Sequence, residues 1–272
     1  MGVYRRKRAL PLKRNGRWQM KNKGKYLFFK KAAIIIAVYV IAAGIYAQES
    51  VFERVFFEGF KDMAGAAADN PAETVLAVSC IALASYGIMK NEKWMFESIQ
   101  GIEGDFWKDT FEYADYLGDG IFVLAANSFF FLGGEKEKQT AGKVIESIAI
   151  AGAVTYGIKI IAGRNRPSVT NDPYMYNMFS FSDMSMPSGH TTVAFAWASV
   201  IGDRYDIGYI TYPAAVLTGL ARVYKNKHWL SDVLIGAAIG TFAGKIAVQD
   251  RDFNIAADVY KGSANIMAIW DY

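Results

Sequence analysis

Six apolar stretches recur along the chain: Thr74–Met89, Ile121–Leu132, Val144–Ile161, Thr191–Ile201, Ile207–Val223 and Val233–Val248. Ala, Gly, Ile and Leu dominate them, and none shows sustained alternation of period two. Such stretches read as helices packed closely at small residues, so the pattern predicts an all-α helical bundle. Most run 11 to 18 residues, shorter than the roughly 20 that a bilayer span requires. Charges at Glu146, Lys159, Arg204, Asp206 and Lys245 punctuate their edges. A compact bundle is therefore favoured over a polytopic chain. A segment over Val51–Met63 reads as a surface helix, and Gln249–Tyr272 as a polar-aromatic tail too short to be a domain.

What precedes the bundle sets its address. The net charge of +4 conceals an asymmetry: residues 1–31 carry twelve Lys or Arg and no acid. The apolar run Ala32–Ala47 follows, sixteen residues without a charge. A positive block directly before an apolar run holds an N-terminus in the cytoplasm and sends the following chain across the membrane. This order favours an anchor or signal segment over a nucleic-acid-binding arm. The expected division is a basic cytoplasmic arm over 1–31, an anchor or signal segment over 32–47, and a helical domain over 48–272. The length is ample for a large core. Cys80 is the one cysteine, which excludes an internal disulfide, and no Cys/His cluster has zinc spacing.

Both histidines of the chain sit in short clusters suited to phosphate. Lys159 and Arg166 are seven residues apart, two helical turns, with Gly163 and Pro167 predicting that the helix ends between them. A fork-shaped guanidinium and a point-charge ammonium both bind phosphate oxygens; alone, they equally suit a helix C-terminus. In Pro187-Ser188-Gly189-His190, Ser188 is placed to cap a helix that begins near Thr191. Its free first-turn amides make an anion site, and Gly189 lets the backbone approach a ligand. Downstream, His228 and Asp232 are i and i+4, neighbours on one helical face, so the carboxylate would orient the imidazole. Arg222 is six residues from His228, about 240° around a helix, so it joins that face only if the helix breaks. Lys225-Asn226-Lys227 offers the break, with Asn226 capping the next helix.

Taken in order and spacing, these clusters resemble the signature of the type 2 phosphatidic acid phosphatase superfamily. That group includes lipid phosphate phosphatases, bacterial acid phosphatases and vanadium-dependent haloperoxidases. Its pattern is a lysine, six residues and Arg-Pro; then Pro-Ser-Gly-His; then Ser-Arg, five residues, His, three residues and Asp. The departure is Ala221, where the pattern has serine. The resemblance covers about residues 110–248. It implies a helical bundle of the acid phosphatase/haloperoxidase type and a phosphatase in the bacterial cell envelope, acting on a lipid phosphate or a soluble phosphate ester. By the same resemblance, His228 is the nucleophile, Asp232 its partner and His190 the acid and base. Lys159, Arg166, Ser188, Gly189 and Arg222 hold the phosphate, with neither metal nor cofactor. The other readings are a non-catalytic phosphate- or lipid-binding membrane protein and a vanadate-dependent haloperoxidase.

Overall fold

The structure, a computed structural model, describes residues 65, 68–249, 253–260 and 263–270. The expected arm over 1–31, the anchor over 32–47 and the surface helix over Val51–Met63 lie outside the described residues. From Pro71 onward the described residues form the α-helices α1 (Pro71–Lys90), α2 (Glu92–Gln100), α3 (Asp105–Ala114), α4 (Gly120–Asn127), α5 (Glu135–Ala162), α6 (Gly189–Tyr205), α7 (Gly208–Tyr224) and α8 (Leu230–Val248). Short 3-10 turns, Asp115–Gly118 and Ser128–Leu132, precede and follow α4.

The fold is the expected all-α bundle, and α6 is its central helix, packed against α5, α7 and α8. Small residues make that position tenable. Ala194, Ala196, Ala198 and Ser199 of α6 are buried, and they meet Ala215 of α7 and Ile150, Ala151 and Ala243 of α5 and α8. On α8, Gly236, Gly240 and Gly244 recur once per turn along the face against α6. A Cβ at Gly240 would lie 2.3 Å from the Thr192 carbonyl oxygen, and one at Gly236 2.6 Å from that of Ser188. Backbone thus meets backbone across this contact, the close approach that small residues permit.

Three features depart from the sequence reading. Helix α5 starts nine residues before Val144, because its first turns carry polar side chains that end in the interior: Thr140 is fully buried, and Lys143 donates to the Ala247 carbonyl at 3.0 Å. Helices α5 and α8, at 28 and 19 residues, are long and apolar enough to cross a membrane, as is the pair α1 and α2 despite a 70° bend between them. Finally, the tail holds two strands, where no sustained period-two alternation was read. Strands β1 (Phe253–Tyr260) and β2 (Ser263–Trp270) pair antiparallel, Phe253 opposite Trp270 and Tyr260 opposite Ser263. Alanines at 256, 257, 264 and 268 blur the alternation there.

Candidate active site

Helix α5 stops where Gly163 adopts a left-handed conformation, φ 55°, and returns its N–H to the Lys159 carbonyl. Only glycine fits this cap, since a Cβ would lie 1.8 Å from the Asn177 carbonyl oxygen. The chain then runs into a segment in which Arg164 bridges to Tyr176 and Asn165 to Met184. Lys159, on the last turn of α5, donates to the Met184 and Ser185 carbonyls at 3.1 and 3.3 Å.

Ser188 is the N-cap of α6, although its side chain caps no amide. Its hydroxyl is fully buried and accepts from Thr191 Oγ1, while its own N–H donates to the Asp232 carbonyl. The start of α6, which carries Gly189 and His190, is thereby stitched to the start of α8. A further close approach pins His190 from the other side: a Cβ at Gly118 would meet that of His190 at 2.6 Å.

Around His228 the geometry corrects the sequence reading. Helix α7 ends at Tyr224, Asn226 turns the chain with φ 58°, and the cap of α8 is Trp229 rather than Asn226. His228 therefore precedes the helix and shares no helical face with Asp232. Asp232 sits in the first turn, where its Oδ2 accepts the Trp229 N–H at 2.9 Å. That oxygen is 3.8 Å from His228 Nδ1, too far for a hydrogen bond. Ser185 spans the gap, donating to Asp232 Oδ2 at 2.5 Å with its Oγ 3.4 Å from His228 Nδ1. With Nδ1 turned towards this pair, Nε2 is the ring atom left to act on a ligand.

Sequence reasoning missed four charged or hydroxyl partners. Ser185 is one. Arg164, fully buried, donates from Nη1 to Asp232 Oδ1 at 2.6 Å and from Nη2 to Glu92 Oε2 at 3.2 Å. Glu92, also fully buried, opens α2 and lies 72 residues away in sequence. Asp115 pairs with Arg222 Nη1 at 2.6 Å and Lys225 Nζ at 2.9 Å. Arg164 had a signal, as a second arginine inside Lys159–Pro167; Glu92 and Asp115 had none, because their partners are set by helix packing.

Two cationic donors of the cluster have no acceptor from the protein. Arg166 Nε and Arg222 Nε are buried without a hydrogen-bond partner. Burial and then the Arg222 guanidinium push Arg166 below the ordinary arginine value. The same Arg222 charge acts on both imidazoles: burial first, then Arg222, takes His190 down to about 4. Burial takes His228 to about 4 as well, against the opposing pull of Asp232. Asp115 is pushed up by burial but held low overall by Arg222 and Lys225. Both rings are thus neutral at pH 7.

Because each folded-state pKa lies below the unfolded value near 6.5, the unfolded chain binds more protons between the two. Stability contributed by the neutral rings is complete above pH 6.5 and falls as pH drops towards 4. Denaturant titrations across this window check it, and His190→Gln is expected to flatten the slope.

Against known proteins, residues 140–256 match the PAP2 superfamily, the type 2 phosphatidic acid phosphatases whose motifs these are. The matched segment contains Lys159, Arg166, Ser188, Gly189, His190, Arg222, His228 and Asp232. The lipid A 1-phosphatase of Porphyromonas gingivalis is 32% identical over 147 residues, 51% of this chain and 31% of that protein. The putative undecaprenyl-diphosphatase of Escherichia coli is 29% identical over 122 residues, 44% of this chain and 61% of its own length. The chain spans less than half the length of the lipid A 1-phosphatases that it matches. Among solved structures, the transmembrane PAP2-type phosphatidylglycerolphosphate phosphatase of Bacillus subtilis aligns with a TM-score of 0.51 at 18% identity. The alignment covers 64% of this chain and 92% of that one, and shows a shared fold.

Proposed function

We propose that this chain is a membrane-associated phosphatase that hydrolyses a phosphate monoester, a lipid phosphate before a soluble one, outside the cytoplasmic membrane. The observation that carries this reading is the pair of buried, unpartnered Nε–H groups on Arg166 and Arg222. Two guanidinium groups in mutual repulsion, with Lys159 beside them, call for a multiply charged anion; a phosphate dianion supplies both the charge and the acceptor oxygens. Lipid phosphates are favoured because the PAP2 relatives include lipid A 1-phosphatases. Helices α5 and α8, which carry Lys159 and Asp232, are also apolar enough to enter a bilayer.

The chemistry follows from which atoms are free. His228 Nε2 attacks phosphorus, the P–N bond forming as the ester P–O bond breaks, while Ser185, itself held by Asp232, faces Nδ1–H. His190 passes a proton to the departing alkoxide, giving the alcohol. In the second half His190 takes a proton from water, whose oxygen attacks phosphorus and releases inorganic phosphate and His228. Lys159, Arg166, Arg222, the Ser188 hydroxyl and the Gly189 amide bind the non-bridging oxygens as charge shifts among them.

Burial and the Arg222 charge hold His190 neutral, so its working proton arrives with the substrate's charge. A bound dianion offsets Arg222, and the His190 titration is expected to move from about 4 back towards neutrality when inorganic phosphate is added. Histidine-selective NMR with and without phosphate checks this; an unmoved midpoint would count against His190 as the acid.

A diphosphate substrate is the second reading, favoured by the undecaprenyl-diphosphatase relative. A phosphate-release screen on the purified full chain decides between them. It would use lipid A, phosphatidic acid, phosphatidylglycerol phosphate, polyprenyl diphosphate and p-nitrophenyl phosphate. Release from lipid monoesters well above the others is the expected result. Phosphate binding without release from any ester would overturn the enzymatic reading.

A further inference from the structure

The attachment of Asp232 extends well beyond the residues that touch a phosphate. Its Oδ1 accepts from Arg164 Nη1 at 2.6 Å, and the same Nη1 reaches Ser231 Oγ at 2.6 Å. Arg164 Nη2 continues to Glu92 Oε2 at 3.2 Å, and Arg164 Nε is tied to the Pro173 carbonyl at 2.9 Å. Glu92 closes the loop: its Oε1 accepts the Ser231 N–H at 3.0 Å and its Oε2 the Ser231 hydroxyl. The Tyr176 and Trp229 rings flank the guanidinium, with centroids 5.6 and 5.7 Å away. Glu92, Arg164 and Asp232 come from three separate parts of the chain, and their side chains are wholly shielded from solvent.

Stability alone is a poor reason for such a group. A buried ion triad is often no more stable than the apolar residues that would replace it, since desolvation consumes the Coulomb gain. Here two carboxylates share one guanidinium, so the triad holds one negative charge in excess. The side facing away from Arg164 is Asp232 Oδ2, where Ser185 and His228 lie. The excess charge is therefore directed at the imidazole that becomes cationic when it carries phosphate.

We infer that Glu92 and Arg164 are positioning residues for the His228 nucleophile: Arg164 fixes Asp232, and the charge of Glu92 keeps Arg164 from neutralising it. This rests on the phosphatase reading above. It also ties the nucleophile to the bend between α1 and α2, because Glu92 is the first residue of α2 and caps the free amide of Ser231 in α8. Sequence distance hides the arrangement, yet the contact joins the bent, apolar helix pair through Arg164 to the reacting histidine's partner.

The test uses the full chain in detergent with Glu92→Gln, Arg164→Lys and Arg164→Met. Glu92→Gln preserves shape and is expected to lower kcat roughly tenfold or more with KM little changed, as loss of an orienting partner does. Arg164→Lys should retain more activity than Arg164→Met. A second readout does not depend on turnover. The chain has two histidines, so histidine-selective 15N labelling yields two imidazoles, assigned with His190→Gln. Glu92→Gln should shift the His228 ring resonances and leave those of His190 in place. Variants that melt earlier yet keep wild-type kcat and an unmoved His228 signal would reduce Glu92 and Arg164 to structural roles and overturn the inference. If the wild-type chain releases no phosphate, the phosphatase reading fails separately, and the His228 signal alone decides whether the triad acts on that ring.

Discussion

His228→Ala is expected to lower phosphate release by about 10⁴-fold or more, the scale on which loss of a nucleophile or its base acts, while the bundle stays folded. The second half of that expectation comes from how Asp232 is held. Its carboxylate keeps Arg164, Ser185 and the Trp229 N–H when the imidazole is gone, so no buried charge is stranded. His228 itself lies in the connection before α8 and contributes no helical hydrogen bond. Circular dichroism and thermal melting of the variant should therefore resemble wild type even as turnover vanishes. Near-normal hydrolysis by a folded His228→Ala protein would remove the nucleophile from the mechanism. The same measurement on His190→Ala separates the two rings: a substrate with a leaving group that needs no proton, such as p-nitrophenol, should lose far less than a lipid ester.

Gly240→Leu is expected to be the most disruptive single change in the bundle. No side chain can be accommodated there, because a Cβ would stand 2.3 Å from the Thr192 carbonyl and 2.9 Å from the Ala196 nitrogen, both backbone atoms of α6. Helix α6 is held on its other sides by α5 and α7, so the strain cannot be relieved by a side chain swinging away. Overpacking of this kind costs roughly 3 kcal/mol or more, which lowers Tm by about 10 °C in a domain this size. Activity should fall further than stability accounts for, since α6 begins with His190 and α8 with Asp232, and the contact at Ser188 N–H joins them. Gly157→Ala, on α5, is the control: an added Cβ there meets nothing within 4 Å, and alanine is the better helix former. Equal losses from both variants would show that the glycine face of α8 is not what sets the distance between the helices.

How much of this was legible beforehand differs by element. The ends of α5 at Gly163 and of α7 before Asn226 were readable, because glycine and a polar break act on the local backbone. The early start of α5 was not, since Thr140 and Lys143 look like surface residues and are buried only by their neighbours. Helices α2 and α3 carry mixed composition, with their apolar groups confined to one side, and gave no continuous run to notice. The i, i+4 reading of His228 and Asp232 identified a pair that does lie close in space. It assigned the wrong reason, because Ser185 bridges two groups that a helix does not align.

The amino-acid order alone determined an all-α bundle, the candidate phosphate-binding side chains and the points where their helices stop. These follow from local backbone preference and from chemistry carried within about ten residues. Only the tertiary structure decided that Glu92 and Arg164 would stand behind Asp232, that Asp115 would hold Arg222, and that burial would favour the neutral form of both imidazoles. Those outcomes depend on burial and on charges brought together across the bundle, and glycines 236, 240 and 244 bring the two decisive helix starts within hydrogen-bonding distance.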